Sequence, residues 1–290
     1  MALAAVTASC ADDREAAAIV VGAGTSDQAR MVAEIYAGAL ARAGAKTEVR
    51  DNLGGRADYL ADLDAATITL TSDDTGDLLR TLNSAADAAK PDQVLPALYG
   101  ALPEGLIVSD PADGTDLRPT VVTTRAAQLP TSLDDLAPRC AELTVGVNTG
   151  PSTDPLRPAL NLRLDIVDPL HNTYGCTFTR ITEYASDSEV QEALQTNLIQ
   201  AGVLSMPPSF LKGGSADVMS EIGDPAYAFR AQQVIPLIRK GALDNDQVRK
   251  LNYVAGELTT ADLADMVRQV RDNRGSAKDL ARTWLDAHSL

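Results

Sequence analysis

Ile19-Val20-Val21-Gly22-Ala23-Gly24, with the sixteen residues that follow it, decides the fold. Ala18 to Val21 is a continuous apolar run of the kind a strand buried on both faces carries. Gly22-Ala23-Gly24 reads as a turn, and Met31, Val32, Ile35, Tyr36 and Leu40 recur at the spacing of one helical face until Gly44 stops the helix. This is a βα unit. Working outward, Lys46 to Arg50 reads as a second strand, Asn52-Leu53-Gly54-Gly55 as a turn into a second helix, and Ala66 to Leu70 as a third strand ending in Thr71-Ser72-Asp73-Asp74-Thr75-Gly76. Strands alternating with helices imply a parallel sheet covered on both faces.

Residues 108–120 are loop-like, and Thr120 to Thr124 opens a second α/β region. It continues through a strand at Leu143 to Val147, a helical stretch near 155–164, a strand from Cys176 to Ile181, a helix from Ser188 to Leu198 and a strand from Gly202 to Met206. After Pro225 the pattern reads as helical to the end. Thr259 with Asp262, and Ser276 with Asp279, have the spacing of helix N-caps, and Leu263, Met266, Val267 and Val270 form an apolar stripe that belongs to a core. No internal repeat is visible, and the two α/β regions are not recognisably alike in sequence.

The chain has 290 residues, enough for one large or two medium domains. Forty acidic against twenty-five basic residues give a net charge of -15, which repels phosphate polymers and anionic lipid and excludes nucleic acid as a partner. Aromatic residues make up only 4%, so any site built on ring stacking has few rings to draw on.

The opening residues MALAAVTASCADD resemble the end of a bacterial lipoprotein signal, with Thr7-Ala8-Ser9 before Cys10 as the thiol to be lipidated. That reading makes residues 1–15 a signal remnant and linker. It also leaves Cys140 and Cys176 as an even pair in an oxidising compartment, which permits a disulfide, while two buried thiols are the alternative. No other segment has the roughly eighteen consecutive apolar residues of a membrane span.

Chemistry-bearing motifs are scarce. Gly22-Ala23-Gly24 with Asp51 partly satisfies a dinucleotide fingerprint, but Asp27 stands at the third glycine position, where its charge would meet the pyrophosphate. A nicotinamide or flavin enzyme is therefore the weaker reading. Only His171 and His288 could serve as imidazole bases, and no nucleophile elbow or zinc-ligand spacing accompanies them. What remains is a binding site of strand-end turns and helix N-termini, where free N–H groups and partial positive charge collect in open α/β sheets.

The runs IVVGAGTSDQARMVAEIYAGALARAGAKTEV (19–49) and NLGGRADYLADLDAATITLTSDDTGDLL (52–79) resemble, in order and spacing, the osmoprotectant-type (glycine betaine, choline, carnitine) substrate-binding proteins of ABC importers. Tyr174 to Phe178, Gly202-Val203-Leu204, Leu251-Asn252, Gly256, Leu258 to Thr260 and Leu280 to Leu285 extend the resemblance over the whole chain. It implies a two-lobed, periplasmic-binding-type (type II) α/β fold closing on a solute by hinge motion. Residues 16–116 and 226–290 would form one lobe and 117–225 the other. It also implies an extracytoplasmic, lipid-anchored monomer that performs no chemistry, needs no cofactor or metal, and works with membrane permease subunits.

The family holds quaternary ammonium in a cage of rings. By the same alignment those positions fall here on Ser26, Asp74, the vicinity of Arg118, and Pro207, Pro208 or Ser209, so the cage is missing. The resemblance then implies a small polar or zwitterionic solute. Asp74 would take an ammonium or hydroxyls, Arg118 would clamp a carboxylate or phosphate, Thr25, Ser26, Thr75 and Ser209 would donate hydrogen bonds, and Gly24 and Pro208 would complete the wall. The alternative is that Asp74 and Arg118 are ordinary surface or inter-lobe charges. A non-transport envelope sensor or structural relative with a degenerate cleft is the rival reading of the whole chain.

Overall fold

The computed structural model describes residues 18–152, 154, 156–212 and 219–290, so Cys10 and the signal-like segment lie outside the described residues. Strand β1 (Ile19–Gly24) leads into helix α1 (Asp27–Arg42), β2 (Thr47–Leu53) into α2 (Arg56–Asp64), and β3 (Leu70–Asp74) into α3 (Thr75–Leu82), followed by α4 (Pro91–Ala101) and β4 (Leu106–Val108). The next run is β5 (Thr120–Thr124), α5 (Leu133–Leu136), β6 (Thr144–Asn148), a π-helical segment Leu162–Val167 continuous with α6 (Asp168–Tyr174), β7 (Arg180–Tyr184), α7 (Asp187–Gln195), β8 (Ala201–Leu204) and β9 (Met219–Ile222). Strand β10 (Val234–Arg239) precedes α8 (Asn245–Glu257), α9 (Thr260–Arg271) and α10 (Ala277–Ala287).

These strands form two five-stranded sheets, ordered β2-β1-β3-β10-β4 and β7-β6-β8-β5-β9. In the first, β1 runs parallel to β2 and β3 while β10 runs antiparallel to β3 and β4. In the second, β6 runs parallel to β7 and β8 while β5 runs antiparallel to β8 and β9. The two orders are one pattern used twice, although the sequences are unlike. In each sheet the strand that has just arrived from the other sheet is inserted fourth and antiparallel. The all-parallel expectation fails for this reason: an arriving strand has no βα crossover within its new sheet to force it parallel. The chain crosses between sheets twice, through 109–119 and 223–233.

Several boundaries move for local reasons. Gly22 to Gly24 stay in β1 rather than turning; a Cβ on Gly22 would stand 2.5 Å from Leu53 Cδ1 and 2.8 Å from Ile68 Cδ1, so close packing excludes a side chain there. The third strand starts at Leu70 rather than Ala66, since Ala66 sits at φ 57° in the turn after α2, a backbone conformation that is not extended. The helical stretch expected near 155–164 begins at Leu162, where Asn161 Oδ1 accepts from Arg163 N at 3.1 Å and Leu164 N at 2.9 Å. Cys176 lies outside β7 and is joined to Cys140 by a disulfide with a Cα separation of 5.4 Å. After Pro225 the chain is not all helical, since the apolar run Val234 to Ile238 is β10 and is buried throughout.

Both sheets are covered on both faces by apolar clusters. The α1 stripe packs with Leu263, Met266, Val267 and Trp284 on one face of the first sheet, and Leu53, Tyr59, Leu78 and Ile235 fill the other. Thr259 and Ser276 cap α9 and α10 as their spacing indicates, each hydroxyl accepting from the backbone N–H three residues on.

Candidate functional site

Strand β3 ends in two adjacent carboxylates, both buried. Asp73 accepts from Arg56 Nε at 2.9 Å and Nη2 at 2.6 Å, from the Tyr59 hydroxyl, and from the Asp74 amide at 2.6 Å. Burial raises its pKa and the Arg56 guanidinium opposes the rise. This network fixes the strand end and leaves Asp74 to face the other sheet. Asp74 is 2% exposed, and its Oδ2 lies 2.6 Å from Nη2 of Arg157, a residue between β6 and β7. Burial pushes the Asp74 carboxyl up to about 7; Arg157 opposes this, while Asp73, Asp77 and Asp154 reinforce it.

Arg157 sits on a tight turn in which Leu156 N donates to Asp154 Oδ1 at 2.9 Å and Arg157 N to Asp154 O at 3.0 Å. Its Nη1 donates to Leu117 O at 2.9 Å. Leu156 beside it is buried in the apolar cluster of the first sheet with Tyr59 and Leu78. A segment of the second sheet's chain is thus docked into the first. Arg80 adds a more exposed contact, reaching Asp77 at 2.6 Å and Asp165 at 2.9 Å.

Beside this contact lies a cleft of about 540 Å³ at the carboxyl ends of the strands. The first sheet contributes Gly76, Asp77 and Arg80 to its wall; the second contributes Asn148, Asp187 and Ser205. Asp187 accepts from Asn148 Nδ2 at 2.7 Å, Ser205 N at 2.8 Å and Ser205 Oγ at 2.8 Å, so the ends of β6 and β8 and the start of α7 are tied into one polar floor. Phe229 is the one aromatic residue among the described residues of the wall. A ring cage is absent from it.

Some N–H groups at the helix N-termini of the first sheet have acceptors within the chain. Ser26 Oγ accepts from Ala29 N at 3.1 Å, and Gln232 Oε1 accepts from Gly76 N and Asp77 N at 3.0 Å each. Of the N–H groups expected at these turns, Ala29 N at α1 and Gly76 N and Asp77 N at α3 are thus taken up within the chain, at α3 by a side chain of the return crossing.

The eight expected residues are scattered around the cleft and do not line it. Gly24 is buried in β1, and Thr25 is exposed. Ser26 is a helix cap. Thr75 exchanges hydrogen bonds with the return crossing, through Gln233 N at 3.1 Å and Ala231 O at 3.3 Å. Arg118 spends both edges of its guanidinium on Asp116 and Asp224, at 2.7 and 3.0 Å, and lies over the Tyr227 ring, so it clamps the two crossings to each other. Pro208 and Ser209 form a turn docked on α9, where Arg268 donates to Ser209 O and Arg271 to Phe210 O. Only Asp74 touches a residue of the cleft wall with its charged group. Sequence reading missed Arg157, Gln232 and the Asn148–Asp187–Ser205 floor. Asn148 and Ser205 are legible as strand-end positions, whereas nothing local marks Arg157.

Two mixed sheets joined by two crossings, with a cleft at their facing strand ends, define a two-lobed binding protein of the type II periplasmic class. Residues 17–287 match the family described as the substrate-binding domain of ABC-type glycine betaine transport systems, and the chain belongs to it. It is a family of solute-binding proteins, not enzymes. A solved glycine betaine/carnitine/choline ABC transporter protein has a similar structure, with a TM-score of 0.76 at 14% identity over 93% of this chain and 98% of that one. Apo YehZ from Escherichia coli gives 0.73 at 17% identity over 94% and 99%. A choline-binding protein in complex with choline gives 0.53 at 13% identity over 94% and 89%. At these identities the likeness is one of fold. No curated protein sequence matches the chain. No helix among the described residues is long and apolar enough to cross a membrane.

Proposed function

We propose that the chain is the extracytoplasmic capture component of an ABC importer, anchored through Cys10, which takes a small polar or zwitterionic compound between its lobes and passes it unaltered to membrane permease subunits. The lobes are residues 16–116 with 226–290, and 117–225. The observation that carries the reading is the 540 Å³ cleft, to whose wall both sheets contribute polar side chains alongside apolar ones. A solute held there touches both lobes and so favours the closed arrangement by its differential contacts. The ring-poor wall argues for a ligand that exchanges hydrogen bonds rather than one recognised by its methyl-ammonium face.

The test is a thermal-shift screen against betaines, choline, amino acids, polyamines and sugars, since a ligand of the native state alone raises stability by RT ln(1 + [L]/Kd). A saturable rise with one class supports capture. A second reading, an envelope sensor or structural relative whose cleft no longer takes solute, draws on the Asp74–Arg157 contact that joins the lobes without a ligand. No response to any class favours it.

A further inference from the structure

We propose that Asp74 is a subsite for a guanidinium or primary ammonium group and that the side chain of Arg157 is its intramolecular occupant, so that an incoming N–H cation displaces Arg157 into the cleft. This deepens the capture reading by naming the cationic end of the solute.

The structure shows the pairing chemistry directly. Asp74 is buried and already holds one guanidinium, which arrives from the opposite sheet. The hold is incomplete. Asp74 Oδ2 and Arg157 Nη2 are 2.6 Å apart, yet neither atom has a hydrogen-bond partner among the described residues, because the approach is out of line. Arg157 Nε is also buried without a hydrogen-bond partner among the described residues. Gln28 Nε2 reaches the other Asp74 oxygen only at 3.5 Å. A free guanidinium, with no chain to constrain it, can present two N–H groups in line to a carboxylate, and such bidentate pairs are the stronger ones. Arg157 has somewhere to go, since it lines the cleft. A quaternary ammonium has no N–H to offer and would leave the buried carboxylate unsatisfied. The site therefore selects against the fully methylated cations.

The test empties the subsite. Arg157→Ala is titrated with methylguanidinium chloride at millimolar concentration and its thermal unfolding followed, with tetramethylammonium chloride at equal ionic strength as control. The expected result is a saturable rise of about 3 °C at tenfold the dissociation constant, absent with tetramethylammonium and absent in Arg157→Ala combined with Asp74→Asn. No rise in Arg157→Ala, or an equal rise in the double variant, overturns the proposal. If Arg157→Ala does not fold, the wild-type protein is labelled with 15N-arginine and the Arg157 Nε–H resonance is assigned by its loss in Arg157→Lys. Methylguanidinium must then shift that resonance, and an unmoved resonance overturns the proposal. The rescue fills a made vacancy and does not use the natural solute. In the wild type, an Arg157 Nε–H resonance that methylguanidinium leaves unmoved overturns the displacement even where Arg157→Ala is rescued; a wild-type thermal shift with a solute that carries no N–H cation, beside an unrescued Arg157→Ala, keeps capture and rejects the subsite.

Discussion

Nη2 of Arg157 lies 2.6 Å from Oδ2 of Asp74, and the two residues belong to chain runs that build different sheets. The contact joins the lobes through a carboxyl that burial pushes up to about 7. The groups that set this value are Arg157, which lowers it, and Asp73, Asp77 and Asp154, which raise it.

A folded-state value above the unfolded one means that the native protein holds this proton more tightly. The associated stability is present at low pH and is lost as pH rises through about 7. Asp74→Asn cannot titrate. The unfolding temperature of the wild type is therefore expected to fall relative to Asp74→Asn between roughly pH 4 and pH 7 and to level off above that. A difference that stays constant over that range contradicts the assignment.

Asp73 is held by Arg56, Tyr59 and its neighbour's amide in a space without water access. Arg56→Met leaves that carboxylate without its counter-charge and is expected to cost about 3–5 kcal/mol in urea unfolding. Tyr59→Phe removes one donor and is expected to cost about 1–3 kcal/mol. Equal and small effects would show that the network is not closed in solution.

The first βα unit, the alternation of strands and helices, and the caps at Thr259 and Ser276 were legible because each depends on residues close in sequence. The antiparallel strands β5 and β10 were not, since their direction follows from the chain crossing between sheets. The site was less legible still. Asp74 stands at a strand end, a position that local pattern marks, but Arg157 comes 83 residues later from a loop with no periodicity. Gln232 caps α3 from 156 residues away, and no rule of spacing predicts that contact.

Leu156 is 5% exposed and buried in the first sheet's cluster, although its chain continues into the second. Leu156→Ala is expected to cost about 2–4 kcal/mol and to raise the radius of gyration in solution scattering as the lobes separate. Leu164→Ala, at a position 67% exposed, should change stability by less than about 0.5 kcal/mol. An unchanged scattering profile for Leu156→Ala would mean that this side chain does not fasten the lobes.

The Cys140–Cys176 bridge spans a sequence separation of 36. Replacing both cysteines by serine is expected to remove about 3–4 kcal/mol, the loop-closure entropy of a ring of that size. Thermal unfolding with and without reductant checks it, and identical curves would show that the bond is not formed.

The most direct measurement for solute capture is a crystal structure of the protein grown with the compound that gives the largest thermal shift. One solute molecule is expected between the strand ends, contacting the Gly76–Arg80 wall on one side and the Asn148–Asp187–Ser205 floor on the other. Density for the compound on a single lobe, outside the cleft, would contradict it.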